Sequence, residues 1–354
     1  MSSSSSDEAD LRAEVRKENA RALELGVRQT VIASVEEAFE EHFDEVAAND
    51  GIPSAVDGMS LIRFRNLPSK VPVVDAKWEA VGIITEYILV SYPDFAYHFG
   101  IRCIEEYAED LKTAPTTDSG DYTLIDIENF TAKVNEKMFE MAEKIVERRV
   151  TMAEMAKAAE SFDVSADSRK GRRHKQEDRL LIISHGSQLF KDSKRNIAIA
   201  GVFDGHGGPE IAAYSAPHFA GEIAARLEAN DDGELDENAL RECFRLLDIS
   251  LTKRIEKEKW MGGSTAVVCV VDEKNIVFGW VGDSSGFIMD TEKMTAHTVG
   301  HKPEREDEVK RIEEAGGHIY QNAGTLRVNG VLSVTRALGK TFGCNAVKRS
   351  VSAR

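Results

Sequence analysis

Cysteine is scarce in this 354-residue chain. Its four cysteines are Cys103, Cys243, Cys269 and Cys344, and no two of them form a CxxC pair. The spacing disfavours a disulfide scaffold or a zinc site and favours buried thiols in a reducing compartment. No apolar run reaches the roughly 20 residues of a membrane helix, and the serine-rich start does not resemble a signal peptide. We therefore expect a cytoplasmic protein, with the nucleus as the alternative.

Basic residues are also in deficit. The chain has 45 Lys and Arg against 61 Asp and Glu, a net charge of −16, which disfavours nucleic acid or an anionic membrane as the main partner. Residues 1–160 contain 17 basic and 32 acidic side chains, whereas residues 161–354 contain 28 and 29. This shift in composition, in a chain long enough for about two domains, predicts a domain boundary near residue 160.

The first part of the chain has mainly helical patterning. Residues 1–10, five serines followed by acidic residues, predict a disordered tail. Helices are predicted at residues 29–48, 97–112 and 127–160, and the apolar side chains of the last segment recur every three or four positions. We expect residues 11–160 to form an all-α regulatory or interaction domain that binds a protein partner.

Beyond residue 161, short apolar runs typical of β-strands alternate with helical segments. Strands are predicted at residues 197–203, 266–271, 276–281 and 331–335, and helices at residues 209–227, 237–257 and 305–315. The four residues 272–275 have the length of a hairpin turn. This mixture predicts an α+β layered domain.

Two of the predicted strands lead into an aspartate beside a glycine. Asp204 follows one strand in the sequence Asp-Gly-His-Gly, and Asp283 follows another in Gly-Asp-Ser. Carboxylates and carbonyls are ligands of hard divalent cations, and His206 could transfer a proton. Two strand-end carboxylates meeting at one sheet edge would form a metal site. Two unrelated Asp-Gly turns are an equally open interpretation of the pattern.

A charged segment, Arg172 to Arg179, precedes the first of these motifs. The guanidinium of Arg173 could bind a phosphate through two parallel hydrogen bonds. Glu177 and Asp178 could then face a metal ion or its water. A solvated charged surface is the alternative interpretation.

In combination and order, these motifs resemble the metal-dependent serine/threonine protein phosphatases of type 2C, the PPM family. The matching segments are Arg173-x-x-x-Glu-Asp178, Phe203-Asp-Gly-His-Gly207, Gly263-Ser-Thr-Ala266, Gly282-Asp-Ser284, His301-Lys-Pro303, Ala315-Gly-Gly317, Asn329-Gly330 and Arg336-Ala-Leu-Gly339. The resemblance implies a phosphatase domain at residues 161–339, with the family's β-sandwich flanked by helices. The helical region in front resembles the extension of the nematode phosphatase of the feminization, or sex-determination, pathway.

The resemblance also implies a reaction and a set of site residues. Phosphoserine or phosphothreonine in a protein substrate would be hydrolysed by water bound to two Mn²⁺ or Mg²⁺ ions, which lower the pKa of the water and neutralise phosphoryl charge. By matched position, the metal site would comprise Asp204, the Gly205 carbonyl, Glu177, Asp178 and, for a third and weaker ion, Asp283. Arg173 would bind the phosphate, and His206 would protonate the leaving oxygen.

The sequence departs from the family pattern at two places. Ser285 stands where the family has Arg, and Lys340 follows Gly339 where the family has Asp. Residues 340–354 contain four basic and no acidic residues, and the further aspartate motifs of the family do not follow. We therefore expect an incomplete phosphatase domain with an atypical tail at 340–354, from an alternative or mispredicted end, with unpaired sheet edges and with weak or no activity.

Two other functions fit parts of the sequence. A non-catalytic regulatory or scaffold protein would act through the acidic helical domain, and the incomplete phosphatase domain would bind partners. A subtilisin-like serine protease is suggested by Gly205-His-Gly207 and Gly263-Ser-Thr-Ala266. That second alternative accounts neither for the segment from Arg173 to Asp178 nor for His301-Lys-Pro303.

Overall fold

The computed structural model divides the chain into two compact units, Met1–Ala159 and Glu160–Arg354. The residues it describes are 70–72, 74–89, 116–119, 122–126, single positions from 97 to 137, 164, 166–184, 186–189, 197–228, 235–290, 293–322, 324–339 and 352–353. The predicted tail at 1–10, the predicted helix at 29–48 and most of the predicted helix at 127–160 lie outside the described residues.

The first unit combines helix with a small antiparallel sheet. Its described elements are β1 (Lys70–Pro72), α1 (Ala76–Leu89), β2 (Thr116–Ser119) and β3 (Tyr122–Asp126). The strand order is β1-β3-β2. The described positions between 97 and 104 are helical, as predicted, and Phe130 and Val134 of the predicted helix 127–160 are helical and buried.

The sheet corrects the expectation that residues 11–160 are all-α. In the pairing of β2 with β3, Ser119 lies opposite Tyr122, so two residues, Gly-Asp in the sequence, separate the strands. A Gly-Asp dipeptide between segments rich in Thr, Tyr and Ile is a hairpin signal, which the helical patterning around it obscured.

The second unit is an α+β arrangement of antiparallel sheets and helices, which confirms the predicted fold class. Its elements are β4 (Arg179–Ile183), a 3-10 turn (Gly186–Leu189), β5 (Ala198–Phe203), β6 (Gly205–His206), α2 (Glu210–Glu228), α3 (Glu237–Glu258), β7 (Gly263–Ser264), β8 (Ala266–Val271), β9 (Ile276–Val281), β10 (Phe287–Met289), β11 (Met294–His297), α4 (Glu306–Glu314), β12 (Ile319–Asn322), β13 (Thr325–Val328) and β14 (Ser352–Ala353). No helix in the described part of the chain is long and apolar enough to cross a membrane.

A five-stranded antiparallel sheet with the order β14-β9-β8-β5-β4 forms the centre of this unit. Strands β8 and β9 have the predicted bounds and are joined by the predicted turn at 272–275, in which the Asp272 carboxylate accepts hydrogen bonds from the backbone N–H groups of Lys274 and Asn275. Three two-stranded sheets, β6-β7, β10-β11 and β12-β13, surround it.

The predicted strand at 331–335 is not formed. The chain turns at Asn329-Gly330, where both residues have a positive φ, and Leu332 makes only an isolated bridge to Val328. The Asn-Gly dipeptide favours this left-handed turn, which takes the place of the strand that the short apolar run suggested.

Helices α2 and α3 pack on the central sheet through an aromatic core. The ring of Phe219 on α2 lies 6.3 Å from that of Phe203 on β5 and 4.6 Å from that of Phe244 on α3, and all three side chains are fully buried. A Cβ on Gly279 of β9 would lie 2.6 Å from the Phe244 ring, so glycine is required there. Helix α3 begins where the Asp236 carboxylate accepts a hydrogen bond from Ala239 N–H at 2.7 Å.

Strand β14, from the segment 340–354, covers part of the outer edge of β9. Ser352 pairs with Trp280 and Ala353 pairs with Gly279. The expectation of an unpaired edge is therefore wrong at these two positions, because the tail supplies backbone partners there. The remaining residues of the tail lie outside the described residues.

Truncation of Phe244 to Ala is expected to lower the free energy of unfolding by about 3–5 kcal/mol, because it removes a fully buried ring and leaves a cavity above Gly279. Urea unfolding followed by circular dichroism measures the change. Ile249→Ala, on the same helix but 41% exposed, is the matched control and should change stability by less than about 0.5 kcal/mol. Equal losses for the two variants would contradict the proposed core.

Candidate functional site

The register of the central sheet brings Asp178, Asp204 and Gly282 to one of its ends. Arg179 of β4 pairs with Phe203 of β5, so Asp178 and Asp204 leave neighbouring strands side by side. Ala266 of β8 pairs with Val281 of β9, so the residues just beyond that pair lie at the same end. Neighbouring strands lie about 4.8 Å apart, so Asp178 is one strand spacing from Asp204 and Gly282 is two spacings from it.

Asp204 is held at this end by its own backbone. Its carbonyl accepts a hydrogen bond from Thr265 N–H at 2.9 Å, and the two residues after it form β6, which pairs with β7. The packing at Gly205 is tight, since a Cβ there would lie 2.5 Å from the Glu177 carbonyl oxygen. The backbone of the Glu177-Asp178 segment therefore lies directly against the Asp204-Gly205 segment.

The Asp204 carboxyl experiences a concentration of negative charge. Desolvation by its surroundings raises its pKa, the negative charges of Asp178 and Asp283 raise it further, and the charge of Arg173 partly opposes them. The result is a pKa of about 6, against an ordinary 3.8. The predicted groups Asp178, Asp204, Asp283 and Arg173 are thus electrostatically coupled, as the two-strand-end interpretation of the sequence requires.

The three carboxylates fit a hard divalent cation, because their donor atoms are oxygens and their like charges contribute to the raised pKa of Asp204. Their geometry is less complete. Among the described residues, no three Asp, Glu, His or Cys side chains converge closely enough to hold a metal ion. A cation would therefore have to draw the carboxylates together.

His206 lies in β6, opposite Gly263 of β7. The outer edge of its ring packs on that glycine, since a Cβ on Gly263 would lie 2.7 Å from Nε2, and Nε2 is buried without a hydrogen-bond partner in the described part of the chain. Burial lowers the pKa of His206, and the negative charge of Asp283 partly offsets this. The imidazole is therefore neutral at pH 7 in the absence of other ligands.

Asp283 lies in a loop that two neighbours fix. Gly282, at φ +92°, donates its N–H to Nδ1 of His301 at 3.1 Å, and its carbonyl accepts the N–H of His301 at 2.8 Å. The Ser284 hydroxyl lies 2.5 Å from the Thr265 hydroxyl. Lys302 approaches the Asp283 carboxylate at 3.8 Å. Burial, followed by the charge of Arg336, lowers the pKa of His301 to about 4, so the ring is neutral at pH 7. Because Gly282 N–H donates to Nδ1, that nitrogen is the one without a proton.

Behind His301, a buried carboxylate connects α4 to the segment Arg336-Ala-Leu-Gly339. Glu308 is fully buried and accepts hydrogen bonds from Arg336, from Arg311 at 2.7 Å and from the Thr335 hydroxyl at 2.7 Å. Thr335 N–H donates to the His301 carbonyl at 3.0 Å. Two of the motifs singled out in the sequence, His301-Lys-Pro303 and Arg336-Ala-Leu-Gly339, therefore act as a support for the Asp283 loop.

Sequence patterns did not identify Thr265 or Lys302 as partners of the two aspartates. Both residues stood within recognised motifs, but their contacts join positions 61 and 19 residues apart in the chain, from Thr265 to Asp204 and from Lys302 to Asp283. A single sequence carries no signal for such pairs. Glu177 approaches the site through its backbone carbonyl, and its predicted role through a metal-bound water stays a prediction.

Comparison with known proteins identifies relatives across most of the chain. The family model described as Protein phosphatase 2C matches residues 162–354, a range that includes the segment 340–354. Protein phosphatase fem-2 of Caenorhabditis elegans is 33% identical over 325 residues, covering 89% of this chain and 72% of that protein. Protein phosphatase 1F of Homo sapiens is 33% identical over 221 residues, covering 62% of this chain and 47% of that protein.

Among solved structures, the one described as "Structure of a C.elegans sex determining protein" is similar, with 30% identity and a TM-score of 0.69. The matched region covers 93% of this chain and 79% of the chain in that structure. This likeness extends through both units.

Asp204→Asn is expected to stabilise the metal-free protein at pH 7–8 by on the order of 1 kcal/mol, after allowance for solvent screening. Because the folded pKa is raised, the folded state retains a proton that the unfolded state releases between about pH 4 and pH 6, so the cost of ionising Asp204 is present above pH 6 and absent below pH 4. Urea unfolding in EDTA, from pH 8 down to pH 4, should show that the stability gained by Asp204→Asn over wild type decreases as the pH falls. Glu256→Gln, an exposed change on α3, should give none, and a pH-independent gain for Asp204→Asn would argue against charge repulsion.

Glu308→Gln is expected to destabilise the fold by about 3–5 kcal/mol, because it removes the partner of two arginines. Burial by itself raises the pKa of Glu308, but hydrogen bonds from Arg336, Arg311 and Thr335 outweigh it and lower the pKa to about 2. Since the folded pKa is depressed, this stabilisation is present above pH 4.5 and is lost as pH falls toward 2. Thermal unfolding at pH 7 and pH 3 should show a larger difference between wild type and variant at pH 7. Exposed Glu314→Gln on the same helix is the control, and an equal loss there would refute the buried network.

Proposed function

Because this chain belongs to the protein phosphatase 2C family, we propose that it hydrolyses phosphoserine and phosphothreonine esters in protein substrates with the help of Mn²⁺ or Mg²⁺. The observation that carries the proposal is the coupling of Asp204, Asp178, Asp283 and Arg173 at one end of the central sheet. A bound divalent cation would supply an activated water and neutralise phosphoryl charge. Asp204, the Gly205 carbonyl, Asp178 and Asp283 would hold it.

The remaining site residues have separate roles in this proposal. Arg173 binds the phosphate oxygens through its planar guanidinium, which matches their geometry. His206 donates the proton to the departing serine or threonine oxygen. Its lowered pKa makes the imidazolium a stronger acid, but it also lowers the fraction of His206 that is protonated at neutral pH. The Thr265 N–H and the loop held by His301 keep the two strand-end aspartates in place.

We further propose that metal affinity, and hence activity at low metal concentration, is weak. Two observations support this: the described carboxylates do not converge into a ready-made cluster, and Lys340 follows Gly339 where the family has an aspartate. Few carboxylates of the right spacing mean a low affinity for Mg²⁺ or Mn²⁺. If activity is absent altogether, a non-catalytic regulatory role of the acidic first unit becomes the alternative.

A role in sex determination is a further part of the proposal. It is supported by the likeness to the fem-2 phosphatase and to the sex-determining protein of C. elegans, which extends over about nine tenths of this chain. The likeness includes the acidic first unit, which we propose binds a protein partner.

A reducing, cytoplasmic location is likewise proposed. It rests on the free thiols of Cys243 and Cys269, whose pKa values burial raises to about 12 and about 11.

Purified chain should release phosphate from a phosphoserine peptide in an Mn²⁺-dependent manner that saturates only at millimolar metal. Asp204→Asn should lower the rate at least a hundredfold, because it removes the central oxygen ligand and its charge. Phosphate release by malachite green measures the rate, and Glu256→Gln should retain it. An unchanged rate of hydrolysis in Asp204→Asn, or a rate that does not depend on added Mn²⁺, would refute the proposed site.

A further inference from the structure

Residues 169–175 form a basic lobe beside the candidate site. These seven residues contain five Lys or Arg, one His and no acid, although the whole chain has a net charge of −16. Residues 170–175 are all exposed. Phosphate binding in the proposed function uses only Arg173, so the cations on either side of it have no role in that chemistry.

A hydrogen bond joins the two residues that flank the lobe, Ser168 and Gln176. The Gln176 amide donates to the Ser168 hydroxyl at 2.5 Å and, more weakly, to the Asp178 carboxylate at 3.4 Å. Within the loop, Arg173 N–H donates to the Lys170 carbonyl at 3.3 Å, and Gly171 adopts φ +60° with open space around it. The lobe is thereby tied to the segment that carries Asp178.

The cations of the lobe are available for a ligand. No carboxylate in the described residues forms an ion pair with Lys170, Arg172 or Lys175, whereas Arg169 pairs with Asp167 at 3.0 Å. Arg173 lies close enough to Asp204 for its charge to lower that carboxyl's pKa. The exposed cations of the lobe therefore flank, in the sequence, the residue proposed to bind the phosphate.

The reach of the lobe matches the length of a few peptide residues. Lys170, Arg172 and Lys175 are within three residues of Arg173, hence within about 11 Å of it along the backbone. Side chains up to three residues from a phosphoserine lie within a similar distance of the phosphate. Screening at physiological salt acts over about 8 Å, so a lobe cation interacts with those peptide charges that come within that distance of it.

We propose that the basic lobe gives this site a preference for phosphopeptides with Asp or Glu within about three residues of the phosphorylated serine or threonine. The preference rests on the proposed function, since it presumes that the phosphate binds at Arg173. An acidic flank complements the exposed Lys170, Arg172 and Lys175, whereas a basic flank is repelled by them. The net charge of −16 disfavours a nucleic acid as the alternative polyanion.

Three fluorescent peptides test the preference in the full chain with Mn²⁺. Each carries a non-hydrolysable phosphonate in place of phosphoserine, and they differ only in flanks of Asp, Ala or Lys. By anisotropy, the Asp-flanked peptide should bind about threefold to tenfold more tightly than the Ala-flanked one, the Lys-flanked peptide most weakly, and added salt should narrow the differences. Equal affinities for all three, or full competition by single-stranded RNA, would overturn the proposal.

Charge-reversal variants test whether the flank preference comes from the basic lobe or from other charges on the surface. Lys170→Glu with Arg172→Glu should abolish or invert the flank preference, and Lys175→Glu should weaken it. The matched control, Lys253→Glu with Lys310→Glu, changes exposed lysines on α3 and α4 and should keep the preference. An unchanged preference in the lobe variant would overturn the proposal. Hydrolysis of p-nitrophenyl phosphate, which has no flanks, reports separately on the proposed function.

Discussion

The antiparallel register of β4, β5, β8 and β9 is the constraint on which the candidate site depends. It places the start of β4, the end of β5, the start of β8 and the end of β9 at one end of the sheet, and thereby brings Asp178, Asp204, Thr265 and Gly282 into adjacent positions. A slip of one residue in any pair would turn the side chains of that strand to the opposite face. The buried face of Phe203, Phe219 and Phe244 opposes such a slip.

This arrangement destabilises the fold through electrostatic effects at the sheet end. Desolvation by burial raises the pKa of Asp204, the negative charges of Asp178 and Asp283 raise it further, and the charge of Arg173 partly opposes them. Repulsion of this kind destabilises the fold and at the same time favours a bound cation, because the cation relieves it. The buried groups that support it are hydrogen-bonded: the His301 imidazole accepts from Gly282, and the Glu308 carboxylate accepts from two arginines.

The segment in front of β4 has the opposite sign. The acids of the site lie at the strand ends, while the basic lobe at 169–175 precedes β4 and is joined to Asp178 through Gln176. In the proposed function, the exposed cations of the lobe would attract a phosphate with acidic neighbours before it is bound. In the first unit, the net negative charge of residues 1–160 makes an equally charged partner unfavourable and a basic one favourable.

Local sequence signals were sufficient to predict most elements of the second unit and the family. Apolar runs predicted β8 and β9 with their observed bounds, and helical segments predicted α2, α3 and α4 to within two residues, because these signals lie within a few positions of each other. Ordered motifs singled out Asp204, Asp283 and Arg173 as candidate site residues. Two predictions from the sequence were wrong. The turn at Asn329-Gly330 replaces the strand expected at 331–335, and the helical patterning around β2 and β3 obscured the signal for their hairpin. Three sets of contacts became visible only in the fold: Asp178 and Asp283 act on Asp204, Thr265 and His301 hold the two aspartates, and Ser352 and Ala353 pair with β9. Those pairs are distant in the chain, and their energies depend on distance, burial and register, which no single sequence encodes.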